Sequence, residues 1–217
     1  NKVDIDNFAT SGWSIGGGSA QYAATIDSSL RAVIALNPGL VIQDYENCDN
    51  PAYDYYCLVP EHLNHNSPVL IISSEGDIEN PTNIDAAVHY NYTPESTIKM
   101  LFELEGGNHE TGLNPYSGSG QLGEKVIDWL NYHLLDNLNY CDTLLNVPSS
   151  ATQFYTNLQC EEFLAGDING DSIINVSDII ILVSYVLNEE YFSNGDINLD
   201  GLLNIQDVIM LLNIIID

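Results

Sequence analysis

The residues with the clearest capacity for chemistry lie near the start of the chain, where Ser14 stands in the run Gly12-Trp13-Ser14-Ile15-Gly16-Gly17-Gly18. The pattern Gly-x-Ser-x-Gly between a strand and a helix is typical of a serine held on a sharp turn with its hydroxyl exposed above a sheet. Glycines suit such a turn because they let the strand and the helix approach closely. A glycine-rich chain reversal is the simpler alternative, so the assignment depends on partners elsewhere in the chain.

A serine hydroxyl is a weak nucleophile unless a histidine takes its proton and a carboxylate orients that histidine. In hydrolases with this turn the chain order is serine, acid, histidine. Asp77 follows a predicted strand at 69–73 in the run Ser-Glu-Gly-Asp, and His109 follows a predicted strand that ends near Leu104. Both would lie on the same sheet edge as Ser14, at the carboxyl ends of strands. The sequence therefore predicts a triad of these three residues.

The acid and the histidine have competitors in the sequence. Glu75 and Glu79 flank Asp77, which itself could serve only to cap a turn. His89 and His133 fall in predicted helices and are interpreted as surface or core residues.

His62 and His65 form a His-x-x-His pair, but a metal site normally needs a third ligand, and none is apparent nearby. We therefore do not favour a metal site at these two histidines.

Short apolar strands separated by helical stretches predict an α/β fold with a mostly parallel sheet covered by helices on both faces. The expected strands are 7–13, 32–36, 69–73 and 98–104, and the expected helices are 19–30 and 121–135. The Tyr- and Asn-rich stretch 40–66 is too long for an ordinary connection and is interpreted as a surface insertion. Residues 141–164 are expected to be polar and irregular and to end the first domain.

The last quarter of the chain contains an internal repeat, because the run 166–171 recurs at 195–200 and the run 175–178 recurs at 204–207. Each copy puts oxygen side chains at loop positions 1, 3, 5, 9 and 12 and a backbone carbonyl at position 7, as in loops that wrap calcium. The expected ligands are Asp167, Asn169, Asp171, Ile173, Asn175 and Asp178 in the first loop, and Asp196, Asn198, Asp200, Leu202, Asn204 and Asp207 in the second.

An apolar helix is expected after each loop, at 179–187 and 208–215. Clustered carboxylates repel one another, so the sequence predicts a small all-α module whose fold two Ca²⁺ ions complete. A turn rich in Asp and Asn is the alternative.

Charge limits the classes of partner. The formal net charge is −27, from 31 acidic residues against four Lys and Arg. Nucleic acid and anionic membranes are poor partners for a protein with so large a negative charge, because like charges repel. No apolar stretch reaches the ~18 to 20 residues that a bilayer span needs, and no basic-then-apolar leader follows Asn1. We expect a soluble fragment or a processed product.

The four cysteines allow three pairings. We expect the two local ones, Cys48 with Cys57 and Cys141 with Cys160, since each closes a short loop; buried free thiols are the alternative. Disulfides persist in oxidising compartments, so the cysteines indicate a secreted protein.

The residues around Ser14, Asp77 and His109 resemble the polyester hydrolase and cutinase-type branch of the α/β-hydrolases, a dienelactone hydrolase-like group. The resemblance rests on the runs 12–18, 29–32, 37–38, 67–71, 76–77 and 106–109, and on the Trp129 helix leading to Cys141. It implies a carboxylic ester hydrolase domain over 1–162, with Ser14 as nucleophile, Asp77 as orienting acid and His109 as general base. The backbone N–H of Ile15 would form half of the oxyanion hole, and Trp13 would line the cleft.

Three features depart from that family. The family often has an aromatic residue where this chain has Gly39 followed by Leu40, so aliphatic or lipid-like esters are implied as much as aromatic polyesters. The insertion after Leu40 is also longer than the family usually has. In this fold the other oxyanion donor comes from a loop after an early strand, and barely a strand precedes Ser14. We therefore expect the chain to be the C-terminal part of the hydrolase domain and to be inactive, or to aggregate, by itself.

Residues 163–217 resemble a type I dockerin, a module that docks onto a cohesin. The resemblance implies two bound Ca²⁺ ions and a cohesin-like partner, although the helices lack any Lys or Arg. The resulting hypothesis is a secreted serine ester hydrolase attached through a dockerin. The alternatives are a calcium-dependent anchoring module with an inactive hydrolase remnant, and a peptidase of the same fold.

Overall fold

The computed structural model describes residues 7–39, 60–160, 165–188 and 191–216. The chain divides into two compact units, a larger one with a five-stranded sheet and a smaller one with two helices. The strands are β1 (Ala9–Trp13), β2 (Ala32–Leu36), β3 (Val69–Ser74), β4 (Lys99–Leu104) and β5 (Ala151–Thr156). The α-helices are α1 (Ile15–Ile26), α2 (Ala86–Tyr92), α3 (Gln121–Leu134), α4 (Tyr140–Leu145), α5 (Val176–Asn188) and α6 (Ile205–Ile216). Short 3-10 helices occur at Pro60–Leu63, Thr111–Leu113, Ser117–Gly120 and Ser193–Gly195.

The five strands lie in the order β1-β2-β3-β4-β5. The first four are parallel, and β5 runs antiparallel to β4. β3 and β4 are buried along their whole length and β2 along all but its last residue, whereas β1 and β5 are partly exposed. The predicted α/β fold with a mostly parallel sheet is confirmed.

Helices cover both faces of the sheet. Side chains alternate between the faces of a strand, and alternate residues of the central strands pack against α1 and α2 in one buried cluster. Its fully buried members are Ala20, Ala24, Val33, Ala35, Val69, Ile71, Ala86 and Leu101. The helix α3 packs against β2 and β3 and buries Leu122 and Trp129. This layering holds the ends of the parallel strands in a fixed arrangement.

The prediction that residues 141–164 are irregular was wrong, because this segment contains most of α4 and all of β5. The strand β5 has the sequence Ala-Thr-Gln-Phe-Tyr-Thr and is partly exposed at the edge of the described sheet. A strand in that position needs no continuous apolar run. The start of α1 was also misplaced, since the helix begins at Ile15 rather than at Ser19. The glycines at 16–18 are weak helix formers, yet they are helical where α1 packs on β1 and β2.

The cysteine prediction is confirmed for one pair, since Cys141 and Cys160 are disulfide-bonded. Cys48 and Cys57 lie outside the described residues, as does most of the expected insertion at 40–66. Their pairing stays a prediction.

The smaller unit has its own core, in which α5 packs against α6. Its buried apolar residues are Ile168, Leu182, Val208 and Leu211, and the rings of Tyr185 and Phe192 stack with their centroids 5.1 Å apart. Both helices begin earlier than predicted, at Val176 and Ile205, so the last expected ligand of each loop lies inside the first helical turn. In the part of the chain that the structure describes, no helix is long and apolar enough to cross a bilayer.

The close approach of β1 and α1 predicts opposite effects on stability when two glycines are replaced by alanine. A Cβ atom on Gly12 would lie 1.9 Å from the carbonyl oxygen of Gly16, whereas a Cβ on Gly16 would meet no atom within 4 Å. We expect Gly12→Ala to destabilise the protein by about 3 kcal/mol or more, or to prevent folding. Gly16→Ala should be neutral or stabilise by up to about 1 kcal/mol, because alanine favours helix. Urea unfolding measures both, and similar effects of the two substitutions would contradict the described contact.

Candidate active site

Ser14 occupies the sharp turn between β1 and α1. Its backbone has φ 56° and ψ −122°, a region that non-glycine residues rarely adopt. Hydrogen bonds hold this conformation from the side of β2: the Ser14 N–H donates to the carbonyl of Leu36 at 2.9 Å, and its carbonyl accepts from the N–H of Gly39 at 3.2 Å. Strained backbone of this kind persists where the surroundings determine it, and it is common at functional sites.

Ser14, Asp77 and His109 are joined in one hydrogen-bonded series. His109 Nδ1 lies 2.8 Å from Asp77 Oδ2, and His109 Nε2 lies 2.9 Å from Ser14 Oγ. A carboxylate accepts only, so Nδ1 carries the proton and Nε2 is left to accept from the serine hydroxyl. The structure therefore brings together the three side chains predicted from the sequence, at the ends of β1, β3 and β4.

The Asp77 carboxylate is buried and fully hydrogen-bonded. Its Oδ1 accepts from the backbone N–H groups of Glu79 at 3.0 Å and Asn80 at 2.9 Å, and its Oδ2 accepts from Asn37 Nδ2 at 2.9 Å as well as from His109. Burial alone would raise the pKa of Asp77, but the donors from Asn80, His109 and Asn37 outweigh burial and lower it below its usual value. The carboxyl group is therefore ionised at neutral pH.

Glu75 and Glu79, the two alternative candidates for the acid, do not contact His109 Nδ1. The carboxylate of Glu75 accepts from the N–H of Gly106 at 3.0 Å. The carboxylate of Glu79 is largely exposed and lies 3.9 Å from His109 Nε2, on the serine side of the ring rather than at Nδ1. Of the three acids considered, Asp77 alone contacts the nitrogen that an orienting acid would hold.

Asp85 is an acidic neighbour that the sequence analysis did not single out. It is buried at the start of α2, and burial together with the charge of Asp77 raises its pKa to about 6, although His109 acts in the opposite direction. An Asp before a helix looks like an ordinary cap, so the sequence carried no signal for its proximity to the site.

The loops that carry the acid and the histidine contact each other directly. The N–H of Gly76 donates to the carbonyl of Gly106 at 2.9 Å, and a Cβ on Gly76 would lie 2.3 Å from the carbonyl oxygen of Gly107. Only glycine fits this approach without moving the backbone.

Trp13 contacts the histidine loop rather than only bordering a cleft. Its Nε1 donates to the carbonyl of His109 at 2.7 Å, and its ring centroid lies 4.8 Å from that of the imidazole. Ile15 is the first residue of α1 and is exposed. The first N–H groups of a helix have no partner inside the helix, so the N–H of Ile15 is suited to bind an oxyanion.

The other histidines contribute to packing. The ring of His62 lies against that of Tyr22 in a tilted arrangement, with the centroids 4.2 Å apart, whereas His65 is buried beside Gln21. The two rings of the His-x-x-His pair therefore have different surroundings. Burial lowers the pKa of both His65 and His89 to about 4, so both are neutral at neutral pH. His133 is also buried, against Trp129.

The two repeat loops have matching hydrogen bonds. In each, the carboxylate at position 12 accepts from the backbone N–H groups at positions 2, 3 and 9, and the carboxylate at position 1 accepts from those at positions 5 and 6. Among the residues that the structure describes, no three His, Cys, Asp or Glu side chains lie close enough together to hold a metal ion.

The donor chemistry of the repeat loops nevertheless fits calcium, because each loop offers oxygen ligands only. Asp178 and Asp207 at position 12 are fully buried, and no Lys or Arg follows Lys125 in the sequence to balance their charges. Buried charges are normally paired or coordinate a metal.

Comparison with known proteins places the larger unit in a family. A family model described as "PETase: PET hydrolase-like" matches residues 1–161. The chain is 26% identical over 147 residues to the bis(hydroxyethyl) terephthalate hydrolase of Streptomyces coelicolor. The matched region covers 68% of this chain and 41% of that protein. It is 24% identical over 148 residues to cutinase est2 of Thermobifida alba, and 26% identical over 153 residues to cutinase 1 of Thermobifida cellulosilytica. Those matches cover 68% of this chain, and 43% and 49% of the two cutinases.

The chain thus spans less than half the length of each of these three relatives. The family model, however, matches most of the chain and includes all three members of the hydrogen-bonded series. The chain belongs to the PET hydrolase-like family of α/β-hydrolases.

Proposed function

We propose that the larger unit is a serine carboxylic ester hydrolase in which Ser14 is the nucleophile, His109 the general base and Asp77 the orienting acid. The observation that carries this proposal is the series of two hydrogen bonds from Asp77 through the imidazole to the serine hydroxyl. Family membership supports the reaction class, because the triad by itself serves both esters and amides.

In the proposed reaction His109 Nε2 takes the hydroxyl proton while Ser14 Oγ bonds to the ester carbonyl carbon. The imidazolium then gives that proton to the leaving alcohol as the carbon–oxygen bond breaks, which leaves an acyl-serine. A water molecule next gives a proton to Nε2 and bonds to the acyl carbon, and the serine leaves with the proton restored. The Asp77 carboxylate stabilises the imidazolium formed in each half, and the N–H of Ile15 donates to the oxyanion.

Family membership makes polyesters, cutin-like polymers and lipid-like esters the candidate substrates. The bis(hydroxyethyl) terephthalate hydrolase and the cutinases among the relatives support this range. A Cβ on Gly39 would lie 2.6 Å from Asn80 Nδ2, so an asparagine amide occupies the space into which a side chain at position 39 would project. We therefore propose that aliphatic acyl groups are accepted at least as well as aromatic ones.

For the smaller unit we propose a dockerin-like module that binds two Ca²⁺ ions and a cohesin-like protein. The repeated oxygen ligands and the buried carboxylates support calcium. Exposed apolar side chains on α6 would support a protein partner, and they include Ile209, Met210, Leu212 and Ile214. The disulfide supports an extracellular location, since disulfides persist where the environment is oxidising.

Fluorophosphonate labelling tests the nucleophile, because the probe bonds to serine hydroxyls that a base has activated. We expect a polypeptide that contains this chain to be labelled at Ser14 and Ser14→Ala to lose both the label and p-nitrophenyl ester hydrolysis. Labelling that survives in Ser14→Ala would contradict the assignment. Ester turnover without peptide cleavage would exclude the peptidase alternative, and a folded protein with no labelling would favour the inactive remnant. Whether the 217 residues alone are inactive stays a prediction that the same assay tests.

Replacement of Asp77 tests whether this residue, rather than a neighbouring acid, orients His109. We expect Asp77→Asn to lower kcat by about 10⁴-fold, because an amide at this position favours the wrong imidazole tautomer. Glu75→Gln is the matched control: Glu75 precedes Asp77 by two residues, and its side chain bonds to the N–H of Gly106. It should stay close to the parent rate. Ester hydrolysis of both variants measures the difference, and equal losses would contradict the role of Asp77.

Calcium removal tests the smaller unit. A ligand that binds only the folded state stabilises that state by about 2.7 kcal/mol for each site when its free concentration is about 100 times its Kd. We expect Ca²⁺ to raise the thermal midpoint of the smaller unit, EDTA to reverse the shift and Asp178→Ala with Asp207→Ala to abolish it. Calorimetry of the chain measures the shift, with Mg²⁺ as the control for ionic strength. A midpoint insensitive to Ca²⁺ would contradict the calcium proposal.

A further inference from the structure

Asn37 lies at the end of β2 and has an unusual backbone. It is fully buried, and its φ of 40° is in the left-handed region. Asparagine tolerates this conformation better than most residues, but the conformation still requires support from the surroundings. That support includes the backbone, since the Asn37 N–H donates to the carbonyl of Ile72 at 2.6 Å and its carbonyl accepts from Asn80 Nδ2 at 2.9 Å.

The Asn37 side chain contacts the two loops that carry the acid and the histidine of the proposed triad. Its Nδ2 donates to Asp77 Oδ2 at 2.9 Å and to Ser74 Oγ at 3.2 Å, and its Oδ1 accepts from the N–H of Gly112 at 3.0 Å. Gly112 lies three residues after His109, so one buried amide is bonded to the acid on one side and to the histidine loop on the other.

The hydrogen bond from Asn37 reaches the same oxygen that faces the histidine. Asp77 Oδ2 accepts from both Asn37 Nδ2 and His109 Nδ1, whereas Oδ1 is occupied by two backbone N–H groups. A donor on Oδ2 fixes the direction of that oxygen and stabilises its negative charge. It also draws charge away from the bond to the imidazole.

We propose that Asn37 is a positioning residue for acyl transfer at this site, holding the Asp77 carboxylate in line with His109 Nδ1 and limiting the strength of that bond. The inference rests on the proposed function of Ser14, Asp77 and His109. It assigns to Asn37 an effect on the basicity of the imidazole, beyond a contribution to packing.

The direction of the expected change follows from the charge on Asp77. Without the amide donor, more negative charge remains on Oδ2, and the imidazolium form of His109 is stabilised. The acid limb of the pH–rate profile should therefore move to higher pH. A carboxylate that merely became loose would stabilise the imidazolium less, and the limb would move to lower pH or not at all.

The test measures the rate of fluorophosphonate labelling at Ser14 between pH 5 and pH 9 in a polypeptide that contains this chain. The variants are Asn37→Ala, which removes the amide, and Asn37→Leu, which keeps its approximate shape without a donor or a charge. We expect both to react about 10- to 100-fold more slowly at the pH optimum, the range for loss of a hydrogen bond to a charged group. Both should show an acid limb at higher pH. If Asn37→Ala fails to fold, Asn37→Leu alone carries the test.

Ser74→Ala is the matched control, because it removes the other acceptor of Asn37 Nδ2 and leaves Asp77 untouched. Its rate and acid limb should stay close to those of the parent. Other ionisable groups face the pair, namely Asp85 at the start of α2, Glu79 beside His109 Nε2, and Glu110 next in sequence to His109. They are unchanged in every variant, so a difference from the parent originates at position 37.

Three results would overturn the inference: parent-like labelling in both Asn37 variants, slower labelling with an unmoved or lowered acid limb, or an equal effect of Ser74→Ala. These failures differ from a failure of the proposed function. In that case the parent protein would show no label at Ser14, whereas here the parent is labelled and only the effect of Asn37 is missing.

Discussion

An ionised carboxylate that is removed from water is stable only when donors satisfy its oxygens, and this requirement at Asp77 organises the site. The donors come from three segments that are distant in sequence: its own loop after β3, Asn37 after β2 and His109 after β4. Each segment follows one of three adjacent parallel strands. The hydrogen bonds that make burial of the carboxylate tolerable therefore also fix the three strand-end loops relative to one another.

The end of β2 supports the proposed nucleophile as well as the proposed acid. The carbonyl of Leu36 accepts from the N–H of Ser14, and the next residue, Asn37, donates to Asp77. The strained turn of Ser14 and the buried charge of Asp77 are thus held by two consecutive residues of one central strand. A shift at the end of β2 would disturb both partners of His109 together.

The sequence predicted the parts of the site that have local signals. Ser14, Asp77 and His109 stand in glycine-containing runs directly after apolar strands, and that placement is visible without a structure. Asn37 was missed because Asn-Pro-Gly after a strand looks like a simple stop, and its side-chain partners are 37, 40 and 75 residues away. The strand β5 was missed for a related reason, since its position depends on pairing with β4 rather than on an apolar run of its own.

The repeat loops differ from the candidate active site, because their hydrogen bonds join residues no more than ten positions apart. The same short pattern therefore produces the same set of hydrogen bonds twice. The contacts of the proposed triad join residues 32 and 95 positions apart, and they can form only after the parallel strands have paired. The proposed hydrolytic site is thus a property of the assembled sheet, whereas the side-chain hydrogen bonds of the first loop join residues within Asp167 to Asp178.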